Sequence, residues 1–236
     1  NVFAHSDKLQ EISNNVFNIL KKDGAFIIEV QYLVDTISTL TFDNIYHEHV
    51  NFWTVTSLNN FFKRLGYFVN KVEHIETHGG SIRVYVQSFS APDSSVEEYV
   101  NSEKKMGVDT IRFYKEFSAK VELIRQNVRI NFDLLKKKYS LIAGYAAPAK
   151  ATTALNYFGL DSSDIKFIIE DNNLKHDKFI PGVGIPIKSK SFCKSNMPDL
   201  IIVLAWNFFD SIVKQNDSLI KSGVKFMNIT DLYGSQ

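Results

Sequence analysis

"YSLIAGYAAPAKATTALNYFGL", residues 139–160, runs from an apolar stretch through small residues and a proline into a segment with helical periodicity. It reads as a strand, a tight turn and a helix. Beyond it, "IKFIIEDNN" (165–173) is the next strand and "PGVGIPI" (181–187) is a turn-rich loop with a short strand. "DLIIVLAW" (199–206) is another buried strand, and "VKFMNI" (224–229) is the last. Strands alternating with helices imply a parallel sheet of the Rossmann-like kind over residues 139–236.

Working backwards, residues 109–138 carry Tyr114, Phe117, Val121, Ile124, Val128, Phe132 and Leu135 at three- and four-residue spacing. That stripe marks one long amphipathic helix, expected to pack between two domains. "SAPDSSVEE" (90–98) has a loop composition, so a first boundary is expected there, with 91–138 as linker and connecting helix. "GAFIIEV" (24–30) is a strand expected to be buried on both faces, and residues 57–67 are a helix. "YFVNKVEHIE" (67–76) and "SIRVYVQSF" (81–89) are paired strands joined through "THGG". A polar connection fills 31–57. This order suits the C-terminal half of an α/β sheet over residues 1–90. The chain opens at Asn1 with a loop that leads into a helix capped by Ser6 or Asp7 and ended by Gly24, and we expect a fragment of a longer protein.

The 236 residues are 44% hydrophobic and 22% charged, with a formal net charge of +1. No strong field recruits nucleic acid or an anionic membrane, and no apolar run approaches the ~20 residues that span a bilayer. The one cysteine, Cys193, excludes an intramolecular disulfide and a cysteine-rich metal site within this chain. A cytoplasmic location is expected.

Three stretches hold candidate chemistry. In "GYAAPAK" (144–150), Gly144 stands where a dinucleotide fingerprint has its first glycine, but Ala146 and Ala149 replace the second and third. A methyl at the second position obstructs close approach of backbone to a pyrophosphate, which weighs against NAD. The turn still offers N–H groups at a helix start, with Lys150 as a point charge. In "LAWNF" (204–208), Trp206 and Asn207 place a stacking surface beside a donor and acceptor at a strand end. In "DNIYHEHVNFW" (43–53), Tyr46, His47, Glu48 and His49 are contiguous. On a strand His47 and His49 would share a face. The spacing lacks the one-turn H-E-x-x-H of zincins, so acid/base chemistry and a structural histidine both fit better than a metal.

"FDNIYHEHVNFWTVTSL", "HGGSIRVY", "GYAAPAKATTALNY", "KFIPGVGIPI" and "PDLIIVLAWNF", in this order, together resemble the S-adenosylmethionine-dependent sugar C-methyltransferases of deoxysugar biosynthesis. The resemblance implies a partial class I methyltransferase sheet (1–90) followed by a Rossmann-like substrate domain (139–236). It implies methylation, typically at C3, of a nucleoside-diphosphate 4-keto-sugar through an enolate. It also implies a zinc-binding domain N-terminal to the residues present here. His49 is then the base, Tyr46 stands near the keto oxygen, and Glu48 orients the imidazole. Asn1 and His5 would line the cofactor pocket. His47, Arg83, Tyr145, Lys150, Trp206 and Asn207 are expected to contact the nucleotide sugar. A non-catalytic nucleotide-sugar-binding module is the rival expectation, and an NAD-dependent sugar oxidoreductase a more distant one.

Overall fold

The computed structural model describes residues 2–234 and divides into two compact units, Asn1–Ala119 and Lys120–Gln236. The first unit is built on a three-stranded sheet of β1 (Phe26–Gln31), β2 (Phe68–Ile75) and β3 (Ser81–Gln87), in the order β1-β3-β2. β3 is antiparallel to both neighbours, so the outer strands run parallel to each other. The alternation Ile82, Val84, Val86 puts one face of β3 into a core with Ile28, Val30, Val69 and Val72. The other face carries Glu29, Glu73, Arg83 and Tyr85, linked by hydrogen bonds and ion pairs. The expectation that 24–30 is buried on both faces is therefore corrected. A charge such as Glu29 needs water or a partner, and on the wet face of this sheet it has both.

α1 (Leu9–Ile19) precedes β1 and ends before Gly24. The stretch 31–57, expected to be only a polar connection, holds α2 (Leu33–Ser38) and a 3-10 turn (Phe42–Asn44). α3 (Val55–Arg64) starts at a capping box in which Thr54 and Ser57 exchange side-chain and backbone hydrogen bonds. The loop reading of 90–98 is corrected too. Asp93 caps α4 (Ser94–Met106), accepting from the Ser95 N–H at 3.0 Å. A Ser/Asp/Pro cluster is as much a helix start as a loop, and only the packing of Val96 into the core decides it.

The long helix, α5 (Ile111–Lys138), forms as its stripe requires, with Val121, Ile124, Val128 and Phe132 buried. The second unit is a five-stranded sheet of β4 (Ile142–Tyr145), β5 (Ile168–Ile169), β6 (Ile187–Lys188), β7 (Leu200–Val203) and β8 (Lys225–Asn228). Every pairing is parallel, and the strand order is β6-β5-β4-β7-β8. All four residues of both β4 and β7 are buried, as a parallel sheet covered on both faces demands. α6 (Ala149–Phe158) follows the β4 turn, while α7 (Phe209–Gln215) and α8 (Asp217–Lys221) follow β7. The fold is mixed α/β. Its second half is the expected parallel sheet, and its first half is consistent with the end of a methyltransferase-like sheet.

Candidate functional sites

In the first unit, residues 46–49 form a tight turn rather than a strand, closed by His49 N–H donating to the Tyr46 carbonyl at 2.9 Å. His47 and Glu48 sit at its tip and are exposed, while Tyr46 and His49 are half-buried at its two ends. The expected shared face for His47 and His49 is thus not formed. Instead the turn puts Tyr46 against His49, with rings 4.2 Å apart.

The hydrogen bonds assign the imidazole its tautomer. His49 Nδ1 lies 2.8 Å from the Asn44 carbonyl oxygen, which can only accept, so the proton is on Nδ1. Nε2 of the neutral ring then carries the lone pair, and it lies 3.1 Å from the Tyr46 hydroxyl, which donates to it. Burial, with the nearby charges of Glu48 and Asp43, pushes the Tyr46 phenol above its ordinary pKa and keeps it a donor. At Nδ1 the imidazole is oriented by the Asn44 carbonyl, while Glu48, expected to orient it, lies at the exposed tip of the turn.

The N-terminal 3-10 turn, Phe3–His5, is bound to this loop. Asn51 N–H donates to the Ala4 carbonyl at 3.2 Å and its side chain to the Ser6 carbonyl at 2.7 Å. Phe3 packs among Trp53, Phe61 and Phe62, and the exposed His5 ring meets His49 edge-on at 4.9 Å. Asn1 lies outside the described residues. Two buried polar atoms close to this pair in sequence, Asn44 Oδ1 and Trp53 Nε1, have no hydrogen-bond partner among the described residues. A cavity of about 390 Å³ is lined by Phe52, Thr54, Asn60, Glu103 and Tyr114 among others. Among the described residues no cluster of three or more His, Cys, Asp or Glu is placed to hold a metal ion. Arg83 is paired with Glu29 at 2.9 Å on the polar face of the sheet.

The second candidate lies in the other unit, where β4 and β7 are neighbours and the chain leaves them toward opposite edges of the sheet. Ligands of open α/β sheets bind outside the carboxyl ends of the strands at such a switch point. Lys150, in the first turn of α6, holds its ammonium 4.7 Å from the centre of the half-buried Trp206 ring, and Asn207 beside it is exposed. Of the four residues expected here, Lys150 and Trp206 meet and Asn207 adjoins Trp206 in the chain. Tyr145 is the exception: it is buried, its hydroxyl donates to Asp171 at 3.0 Å, and burial first of all pushes its pKa up to about 12.

The turn itself differs from a dinucleotide loop. Ala146 adopts a left-handed φ of 69°, a conformation costly for a residue with a Cβ. Gly144 is required by packing, since a Cβ there would stand 2.8 Å from Ile168 Cγ1. Glu170, which follows β5 where a dinucleotide fold has its ribose-binding acid, turns back to accept from Ala147 N–H at 2.8 Å and Asn172 N–H at 3.0 Å, with Lys175 3.6 Å away. Burial would raise the Glu170 carboxyl, but those N–H donors and Lys175 outweigh it and hold it below the usual value. A carboxylate so committed is not free to bind ribose hydroxyls, which weighs further against an NAD site.

Sequence reasoning missed Glu103, Asn44 and Asp171. Glu103 carried a legible signal, since with Val96 and Val100 it falls on the apolar face of α4. The other two act through a backbone carbonyl and a cross-strand contact, which no spacing announces.

The profile of the C-methyltransferase C-terminal domain family matches residues 76–229. The C-methyltransferase NovU of Streptomyces niveus is 32% identical over 228 residues, covering 95% of this chain and 54% of the relative. The chain spans about half the length of that curated relative. With a match over most of its residues, the chain belongs to the C-methyltransferase family that this C-terminal domain defines.

Proposed function

We propose that the chain supplies the acid/base residues and the nucleotide-binding fold of a C-methyltransferase acting on a nucleoside-diphosphate 4-keto-deoxysugar, with C3 as the methylated carbon. The observation that carries the reading is the His49 tautomer, which leaves Nε2 unprotonated beside a phenol kept neutral. A C–H next to a ketone becomes acidic only because its anion is an enolate. Such chemistry needs a base at the carbon and a donor at the oxygen. His49 Nε2 takes the proton from C3 while Nδ1–H stays on the Asn44 carbonyl, so the imidazolium that forms is already solvated by a fixed dipole. The Tyr46 hydroxyl turns from Nε2 to the keto oxygen and holds the growing negative charge.

S-adenosylmethionine is the methyl donor this reading implies, and it would supply an electrophilic methyl to the enolate carbon. The described residues do not by themselves make its site. Of the two assigned to it, Asn1 is outside the described residues and His5 is an exposed ring set against His49.

Lys150, Trp206 and Asn207 at the switch point are the residues for the nucleoside diphosphate, with the ammonium for phosphate and the indole for stacking. The same cluster is the one observation that favours the second reading, a binding module without catalysis. One experiment separates the two. The C3 proton of a nucleoside-diphosphate 4-keto-6-deoxy sugar is followed by NMR in deuterium oxide with the parent chain and His49→Asn, and ligand line-broadening is recorded in the same tubes. Faster exchange with the parent supports the enzyme. Binding with equal exchange leaves only the module. Lys150→Ala is expected to abolish the line-broadening, and unchanged broadening would refute the switch-point assignment.

A further inference from the structure

Glu103 is a carboxylate at 1% exposure on α4, a place where an uncompensated charge is costly. Its oxygens accept from three donors: the Tyr32 hydroxyl at 2.9 Å, Val55 N–H at 2.7 Å and Thr56 N–H at 2.9 Å. The two amides are the first of α3, where the helix dipole favours an anion. The Thr54–Ser57 capping box serves the next amide, Ser57 N–H, and leaves these two for Glu103. The helix therefore has its own cap as well as this remote one.

The backbone that Glu103 grips is the exit of the Tyr46–His49 turn. Tyr32 follows β1 directly, and its neighbour Leu33 donates to the Trp53 carbonyl at 2.9 Å. Residues 53–56 are thus held between the end of β1 and α4. Phe52, immediately before them, meets the His49 ring at right angles with centroids 6.2 Å apart. Besides Tyr46 and His5, the pose of His49 depends on Asn44 at the entrance of the loop and on Phe52 at its exit. Of these, the exit is held by residues 48 positions apart in sequence.

We infer that Glu103 is a positioning residue for His49: through Val55, Thr56 and Tyr32 it fixes the Phe52–Thr54 wall that keeps the imidazole on the Asn44 carbonyl. This rests on the reading of His49 as the base, but its signature can be read without turnover. It touches no reacting atom. A glutamine cannot replace it, because its NH₂ would face an N–H.

The test uses ¹⁵N-histidine-labelled chain, with the His49 resonances assigned by their loss in His49→Asn. Glu103→Gln is expected to move His49 from the Nδ1–H tautomer toward a mixture of both. It should slow C3 exchange by about 10²-fold, the effect of misplacement by an ångström, and leave line-broadening by the nucleotide sugar unchanged. Val96→Ala, a core truncation on the same helix, is the control for lost stability and should keep the parent tautomer and rate. Tyr32→Phe removes one bond of three and should shift His49 the same way by less. Should Glu103→Gln fail to fold, Tyr32→Phe decides. A parent-like His49 signature in the decisive variant, or the same changes in Val96→Ala, overturns the inference. Equal exchange by parent and His49→Asn would instead sink the reading of the base, while the tautomer still decides the role of Glu103.

Discussion

Tyr46 and His49 are the first and last residues of one turn, and the phenol hydroxyl stands 3.1 Å from the imidazole Nε2. The contact is local in sequence, yet its chemistry depends on the Asn44 carbonyl holding Nδ1–H. Tyr46→Phe keeps the ring packing and removes only the donor. It is expected to slow C3 exchange by about 10²-fold, as loss of one oxyanion donor does, with nucleotide-sugar affinity unchanged in the line-broadening measurement. A parent rate in Tyr46→Phe would remove the phenol from the mechanism.

Asp164, at 4% exposure in the second unit, receives Lys136 at 2.7 Å and Arg129 at 2.8 Å, both from α5. Burial would raise its carboxyl, but the bonds and charges of Lys136 and Arg129 hold it below the ordinary 3.8. A folded pKa below the unfolded one means that the unfolded chain binds more protons. The stabilisation is therefore complete above the unfolded value and is lost as pH falls through the folded one. Asp164→Asn is expected to cost about 2 kcal/mol at pH 7, less than a fully buried pair because both cations reach solvent. The difference in melting temperature from the parent should shrink below the ordinary 3.8. A gap that stays constant with pH would contradict the linkage.

Gly80 has a φ of 114°, and a Cβ there would run into the Asp35 carboxylate, which is bonded to His74 at 2.7 Å. Gly80→Ala is expected to cost on the order of 2–3 kcal/mol, from strain and collision together. Adding Asp35→Gly, which removes the Asp35 Cβ as well as the carboxylate from the path of the new methyl, should recover the collision part and leave about 1 kcal/mol of backbone strain. Strictly additive losses in urea melts would show that the two residues do not meet.

Ala146, with its left-handed φ of 69°, is the opposite case. Ala146→Gly relieves about 1–2 kcal/mol of strain but returns up to about 1 kcal/mol through the looser unfolded chain. Stability should stay level or rise by about 1 kcal/mol. A loss larger than that would mean that the Ala146 methyl contributes packing that outweighs its strain.

How far the fold was legible depended on what kind of signal each element carries. β4, its turn and α6 could be read from residues 139–160 because an apolar run, a proline and a helical period follow one another without interruption. α5 was legible for the same reason over 28 residues. α4 was not, because Asp93 and two serines look like a loop until Val96 is known to be buried. α2, at six residues, is too short to establish a period.

By itself the sequence determined the alternation that makes the second unit a parallel sheet, and the clustering of a phenol and two imidazoles in one short run. Those follow from local chemistry: residue type, spacing and turn formers. The tertiary structure decided which of those imidazoles is turned inward, which nitrogen carries its proton, and that Glu103 of α4 grips the start of α3. It also decided that Lys150 and Trp206, from different strand ends, share one switch point. These depend on which distant backbone groups come within about 3 Å of a side chain, and that distance is set by packing rather than by spacing along the chain.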